Sequence, residues 1–219
     1  MHEIDASGST CADLPIASPL QGLVQLPARA GSQESDQKLS AWLATSCLPL
    51  EIDVGCHRGA FVVEMASRYP GSRFLGIERQ RSRAERCGSK LRRIELANGY
   101  VVQGDGLDVA SRILPDRSVA KIHVSFPDPW PKRRHHVRRM VNEEFLHAAH
   151  RLLAVGGELR LMTDDEPYFR AMELAANQTA ALWSEAPWED GREVAETEFQ
   201  RKFAAKGLVP FRLALRVRG

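Results

Sequence analysis

Asp128 stands between two prolines in Phe126-Pro-Asp-Pro-Trp-Pro131, and five Lys or Arg follow in the eight positions from Lys132 to Arg139, with no acid among them. Pro129 biases Asp128 away from helical dihedrals and Pro127 fixes its own φ, so the carboxylate is held stiffly. A fixed acid of this kind can accept hydrogen bonds from the N–H groups of a bound base and balance charge that develops on it. The basic run beside it offers salt-dependent attraction to a polyanion. Trp130 has a face that can stack on a base or close the edge of a core.

Three further acids fall where strands are expected to end. Asp53 opens Asp53-Val-Gly-Cys-His-Arg-Gly59, Glu78 closes Phe74-Leu-Gly-Ile-Glu78, and Asp105 sits in Gln103-Gly-Asp-Gly106. Any one of them could cap a helix or form a turn. Four at successive strand ends, Asp128 included, point to a ligand. Gly55 and Gly59 let a ligand approach the backbone closely, but their spacing is neither G-x-G-x-x-G nor that of a P-loop. Glu78 follows that turn by about 20 residues, where an acid accepts hydrogen bonds from ribose hydroxyls. An acidic pocket for a nucleoside, without a strong phosphate cradle, suits a cationic sulfonium nucleoside. S-adenosylmethionine is therefore the expected cofactor, in preference to NAD. His135 and His136 have no carboxylate or cysteine nearby at ligand spacing, so no metal is expected.

The elements that must position these residues alternate. Leu48 to Val54, Phe74 to Ile77, Tyr100 to Gln103, Val119 to Phe126 and Gly157 to Thr163 read as strands. Helices are expected over Lys38 to Cys47, Ala60 to Tyr69, an Arg-rich stretch to about Leu96, Glu143 to Leu153, and Pro167 to Asn177. Phe211 to Val217 alternates as a last strand. The pattern predicts an α/β, Rossmann-like fold: a mostly parallel sheet, helices on both faces and an antiparallel carboxyl-terminal strand. Ligands of such sheets bind beyond the carboxyl ends of the strands, where strand order reverses.

The 219 residues, 43% hydrophobic and 26% charged with a net charge of +2, suit one globular domain. Residues 1–36 are rich in Ser, Gly, Pro and Ala and are expected to form a poorly ordered tail; residues 37–219 form the single domain. Cys11, Cys47, Cys56 and Cys87 are scattered without a C-x-x-C pair, which favours reduced thiols. No apolar run approaches the roughly 20 residues that cross a bilayer, and no basic-then-apolar leader is read, so a cytoplasmic protein is expected. A second basic cluster, Arg79, Arg81, Arg83, Arg86, Lys90, Arg92 and Arg93, reads equally as a solvated face or a partner surface.

From Asp53 onward the chain resembles the bacterial tRNA (guanine-N7-)-methyltransferases, the TrmB-type enzymes of the class I S-adenosylmethionine-dependent superfamily. The resemblance is carried by Asp53 to Gly59, Gly76-Ile-Glu78, Gly104-Asp105, Phe126 to Arg139, Gly156-Gly157, Met162 to Tyr168 and Thr197-Glu-Phe-Gln200. It implies methyl transfer to N7 of a variable-loop guanosine in tRNA. It places Asp53, Gly55, Glu78, Asp105 and Asp128 at the cofactor, with Asp128 also the catalytic position. Lys132, Asp164, Thr197 and Gln200 would meet the substrate guanosine, and Arg133, Arg134, Arg138 and Arg139 would lie against RNA. A monomer is expected, with a homodimer as the other form. The sequence departs from the family pattern at His57 (usually Gly), Asp53 (usually Glu) and Gln200 (usually Glu), and the tail lacks the usual basic arm. Two alternatives stay open: a methyltransferase of an exocyclic base amine, and a tRNA-binding relative whose cofactor site has decayed through His57 and Gln200.

Overall fold

The computed structural model describes residues 33–188, 201, 205 and 207–219. Seven strands form a sheet in the order β3-β2-β1-β4-β5-β7-β6. They are β1 (Leu50–Val54), β2 (Arg73–Glu78), β3 (Gly99–Gln103), β4 (Val119–Ser125), β5 (Leu153–Thr163), β6 (Trp183–Glu185) and β7 (Phe211–Val217). Strands β1 to β5 pair in parallel. Only β7 runs against its neighbours β5 and β6. Every residue of β1 and β2 is buried, as parallel strands covered on both faces should be.

The helices are α1 (Gln33–Ala44), α2 (Ala60–Arg68), α3 (Arg81–Arg93), α4 (Asp108–Ile113), α5 (Glu143–Leu152) and α6 (Glu166–Gln178). Strand alternation divides the core in two. Leu75 and Ile77 join the cluster with α1, α4, α5 and α6, whereas Phe74 and Val101 join the one with α2 and α3. Gly76 lies on that second face, where a Cβ would come within 2.7 Å of the Cys56 Sγ and 3.1 Å of Val62. Only a glycine lets α2 lie this close to β2.

Three features differ from the sequence reading. Helix α1 starts at Gln33, inside the stretch read as tail, because Glu34 and Asp36 favour a helix amino end and Asp36 pairs with Arg112 of α4 at 2.9 Å. Its Trp42 stacks on Tyr100 at 5.2 Å and donates its indole N–H to the Ala97 carbonyl. Helix α4 and strand β6 were not anticipated: six and three residues are too few to display a period. Strand β5 begins four residues early, at Leu153, and passes through Gly156 at φ 75.

The chain builds β1, β2 and β3 outward in one direction, then returns to place β4 on the other side of β1. The crevice where a ligand is expected thus opens beyond the carboxyl ends of β1 and β4.

Candidate active site

At that point lies a cleft of about 770 Å³ lined by the ends of β1, β2, β3 and β4 and the loops that follow them. All four strand-end acids, Asp53, Glu78, Asp105 and Asp128, line it. Asp53 and Glu78 are buried, at 6% and 5% exposure, whereas Asp105 and Asp128 are exposed. Burial pushes the Asp53 carboxyl up to about 7, with the Glu78 charge pushing the same way.

The loop after β1 is built from left-handed residues: Gly55 at φ 80, His57 at φ 53 and Gly59 at φ 70. Gly59 is forced by packing as well, since a Cβ there would strike the Cys87 Sγ of α3 at 2.1 Å. Glu78 fastens this loop to the next one. Its Oε2 accepts the His57 N–H at 2.9 Å, and its Oε1 accepts the Gln80 N–H at 2.7 Å. Each oxygen keeps a further lone pair for a ligand hydroxyl. A Cβ at Gly55 or Gly106 would meet nothing within 4 Å, so the backbone there stays open to the cleft that both residues line.

The family of putative methyltransferases matches residues 48–213. The tRNA (guanine-N(7)-)-methyltransferase of Limosilactobacillus reuteri (strain DSM 20016) is 33% identical over 171 residues, covering 75% of this chain and 79% of that one. The chain belongs to this methyltransferase family. The solved structure of the 16S rRNA methyltransferase KamB matches with TM-score 0.58 and 18% identity, over 86% of this chain and 94% of that one. Geranyl diphosphate C-methyltransferase from Streptomyces coelicolor A3(2), crystallised with Mg²⁺, geranyl diphosphate and S-adenosyl-L-homocysteine, matches with TM-score 0.54 and 13% identity, over 89% and 85% of the two chains. At such identities the likeness establishes the fold, that of the class I methyltransferases.

In this methyltransferase His57, where the resemblance leads one to expect a glycine, keeps the left-handed turn of the loop. Histidine is among the residues more often found at positive φ, and its backbone still bonds Glu78. His57 itself lines the cleft. On the β4 side the loop carrying Asp128 is strained at both ends, with Phe126 at φ 53 and Trp130 at φ 46. Such bulky residues at positive φ cost about 1–3 kcal/mol each, and persist only where their surroundings impose them. Here the Phe126 N–H donates to the Met162 carbonyl at 2.8 Å.

The other constraint on this loop is Arg139, expected to lie against RNA but only 8% exposed. Its Nε donates to the Pro129 carbonyl at 2.8 Å, and its guanidinium lies 4.8 Å from the Tyr168 ring centroid and 3.9 Å from an Asp165 oxygen. Asp165 in turn caps α6 by accepting the Tyr168 N–H. Arg139 is thus turned inward, tying the loop after Asp128 to the start of α6. The sequence carried no sign of this: Arg138 and Arg139 are adjacent and identical in type.

Arg133, Arg134 and Arg138 belong to an exposed 3-10 helix, Arg133–Arg138. Arg138 and Trp130 also line the cleft, with the Arg138 guanidinium 5.0 Å from the indole centroid. His135 meets the same indole edge-on at 5.8 Å. Lys132 and Asp164 are exposed and lie outside the residues that line the cleft. Thr197 and Gln200 fall outside the described residues. Among the described residues, no group of three His, Cys, Asp or Glu could hold a metal ion, and no helix is long and apolar enough to cross a membrane.

Proposed function

We propose that this protein transfers a methyl group from S-adenosylmethionine to N7 of a variable-loop guanosine in tRNA. The reading rests on one arrangement above all: a stiffly held acid, Asp128, opens onto the same cleft as the buried Asp53 and Glu78. The relatives' names support the chemistry. The residues fit the donor, because a buried carboxylate near neutrality gains from a neighbouring cation.

When bound, S-adenosylmethionine supplies an electrophilic methyl carbon on a positively charged sulfur. Glu78 would hold the ribose hydroxyls with its free lone pairs, Asp105 would meet the adenine amino group, and Gly55 would leave room for the chain that bears the sulfur. Asp53 would supply negative charge for the cation. Asp128 faces both donor and base. Guanine N7 carries an in-plane lone pair and no proton, so little general-base help is required. What matters is alignment, together with compensation of the charge left on the purine. Asp128 does both by accepting hydrogen bonds from guanine N–H groups that grow more acidic as the ring becomes cationic. Lys132, Asp164, Thr197 and Gln200 complete the guanosine site, and Arg133, Arg134 and Arg138 hold RNA phosphates. The A-form major groove hides N7 from side chains, so the base must be exposed or extruded. We place the reaction in the cytoplasm, on a tRNA partner, with the chain acting as a monomer.

The test is incubation with labelled donor and unmodified tRNA, followed by nucleoside analysis. The product should be 7-methylguanosine, and Asp128→Ala should lose transfer by at least a hundredfold, in line with removal of a group that stabilises developing charge, while keeping most tRNA affinity. A methyl group on an exocyclic amine, or full activity of Asp128→Ala, would contradict the assignment.

A further inference from the structure

Helix α3 handles charge differently from every other α-helix described. Each Lys or Arg in the other five is in an ion pair: Lys38 with Glu34, Arg68 with Glu64, Arg112 with Asp36, Arg151 with Asp116, and Arg170 with Glu173. Helix α3 holds six bases and a single acid, Glu85, which is taken by Arg81 at 2.7 Å. Arg83, Arg86 and Arg93 have no carboxylate partner among the described residues, and neither do Arg58 and Arg79 beside the helix.

The unpaired bases are also aligned. Ala84, Cys87, Gly88 and Leu91 face the core. Arg83, Arg86, Lys90 and Arg93 recur at spacings of three and four, so they form one stripe about 15 Å long. Its upper end is Arg83, which lines the cleft together with Arg58 and Arg79. Lys90 further ties the helix to the cofactor loop by donating to the Arg58 carbonyl at 3.0 Å. Like charges one turn apart destabilise a helix by about 0.2–0.5 kcal/mol per pair, and bases in a first turn oppose the helix dipole. A merely solvated face would lose nothing by carrying acids between them, as the other helices do.

We propose that the stripe Arg83, Arg86, Lys90 and Arg93 is a second contact surface for the phosphate backbone of the RNA substrate. The RNA spans the cleft, held by α3 on the β2 side and by the 3-10 helix on the β4 side. This rests on the tRNA-substrate reading above, and adds a footprint to it. Continuity with the cleft favours RNA over an anionic membrane or an acidic protein.

The experiment compares the full chain with Arg86→Gln/Arg93→Gln and Arg86→Lys/Arg93→Lys. Binding to unmodified tRNA is measured across salt concentrations, and S-adenosylmethionine is titrated separately as a check on the cleft. For the Gln variant, tRNA binding should weaken about tenfold near 0.1 M salt, and the slope of log K against log salt should fall by roughly 1.5, from two lost phosphate contacts. The Lys variant should keep most of the parent slope. Equal affinity and slope for the parent and the Gln variant, with tRNA still bound and methylated, would overturn the α3 surface alone. A parent that binds no tRNA would overturn the substrate reading and this one together. If the Gln variant lost binding to phosphatidylserine vesicles while tRNA binding stayed intact, the face would belong to a membrane contact and the proposal would fail.

Discussion

On the proposed function, Asp53 would couple donor binding to pH. Its carboxyl is pushed up to about 7 by burial first and the Glu78 charge second. For an acid raised in the folded state, the stabilising contribution is complete below the unfolded value near 4 and is lost as pH rises through about 7. A cation in the cleft reverses the preference, because it favours the ionised carboxylate. Calorimetric titration should therefore find that S-adenosylmethionine binds about tenfold more tightly near pH 8 than near pH 6, following the ionised fraction of a group that titrates between. Asp53→Asn should flatten the profile, and S-adenosylhomocysteine, uncharged at sulfur, should depend on pH less. A parent profile already flat across this window would show that Asp53 does not face the sulfonium.

The elements around Asp128 act as a clamp, and Arg139 closes it. The loop is strained at Phe126 and Trp130 and fixed by Arg139 to Pro129, Tyr168 and Asp165. If Asp128 is the catalytic group, as proposed, Arg139 is a positioning residue. Arg139→Ala should lower kcat by about ten- to a hundredfold, the scale on which a misplaced catalytic group costs rate. The tRNA dissociation constant and its salt slope should stay near the parent values, and Arg139→Lys should recover part of kcat. A salt slope reduced by about one with kcat intact would return Arg139 to the RNA surface. The sequence shows the acids of this site but not the clamp. Asp128, Glu78, Asp53 and Asp105 were legible because each lies at, or within three residues of, the end of a strand marked by a largely apolar run. The inward turn of Arg139 was not, since only tertiary packing separates it from Arg138. The short α4 and β6 escaped for want of a full period, and the early start of α1 escaped because its acidic first turn resembles the polar tail.

Across the whole molecule, the net charge of +2 conceals a strong division. Asp53 and Glu78 are buried in the cleft, and Arg58, Arg79, Arg83 and Arg138 line it with them. Such local fields, more than the total, govern how charged ligands are drawn in. On the proposed function, the buried acids would suit the cationic donor and the arginines the RNA. The sheet order makes this possible by bringing the ends of β1 and β4 together where the strand order turns back. The most direct measurement is a crystal structure with S-adenosylhomocysteine bound. It should show the ribose hydroxyls on Glu78 and the sulfur between Gly55 and Asp128. Ligand bound elsewhere, or a cleft filled by the His57 imidazole with no ligand in it, would contradict the account.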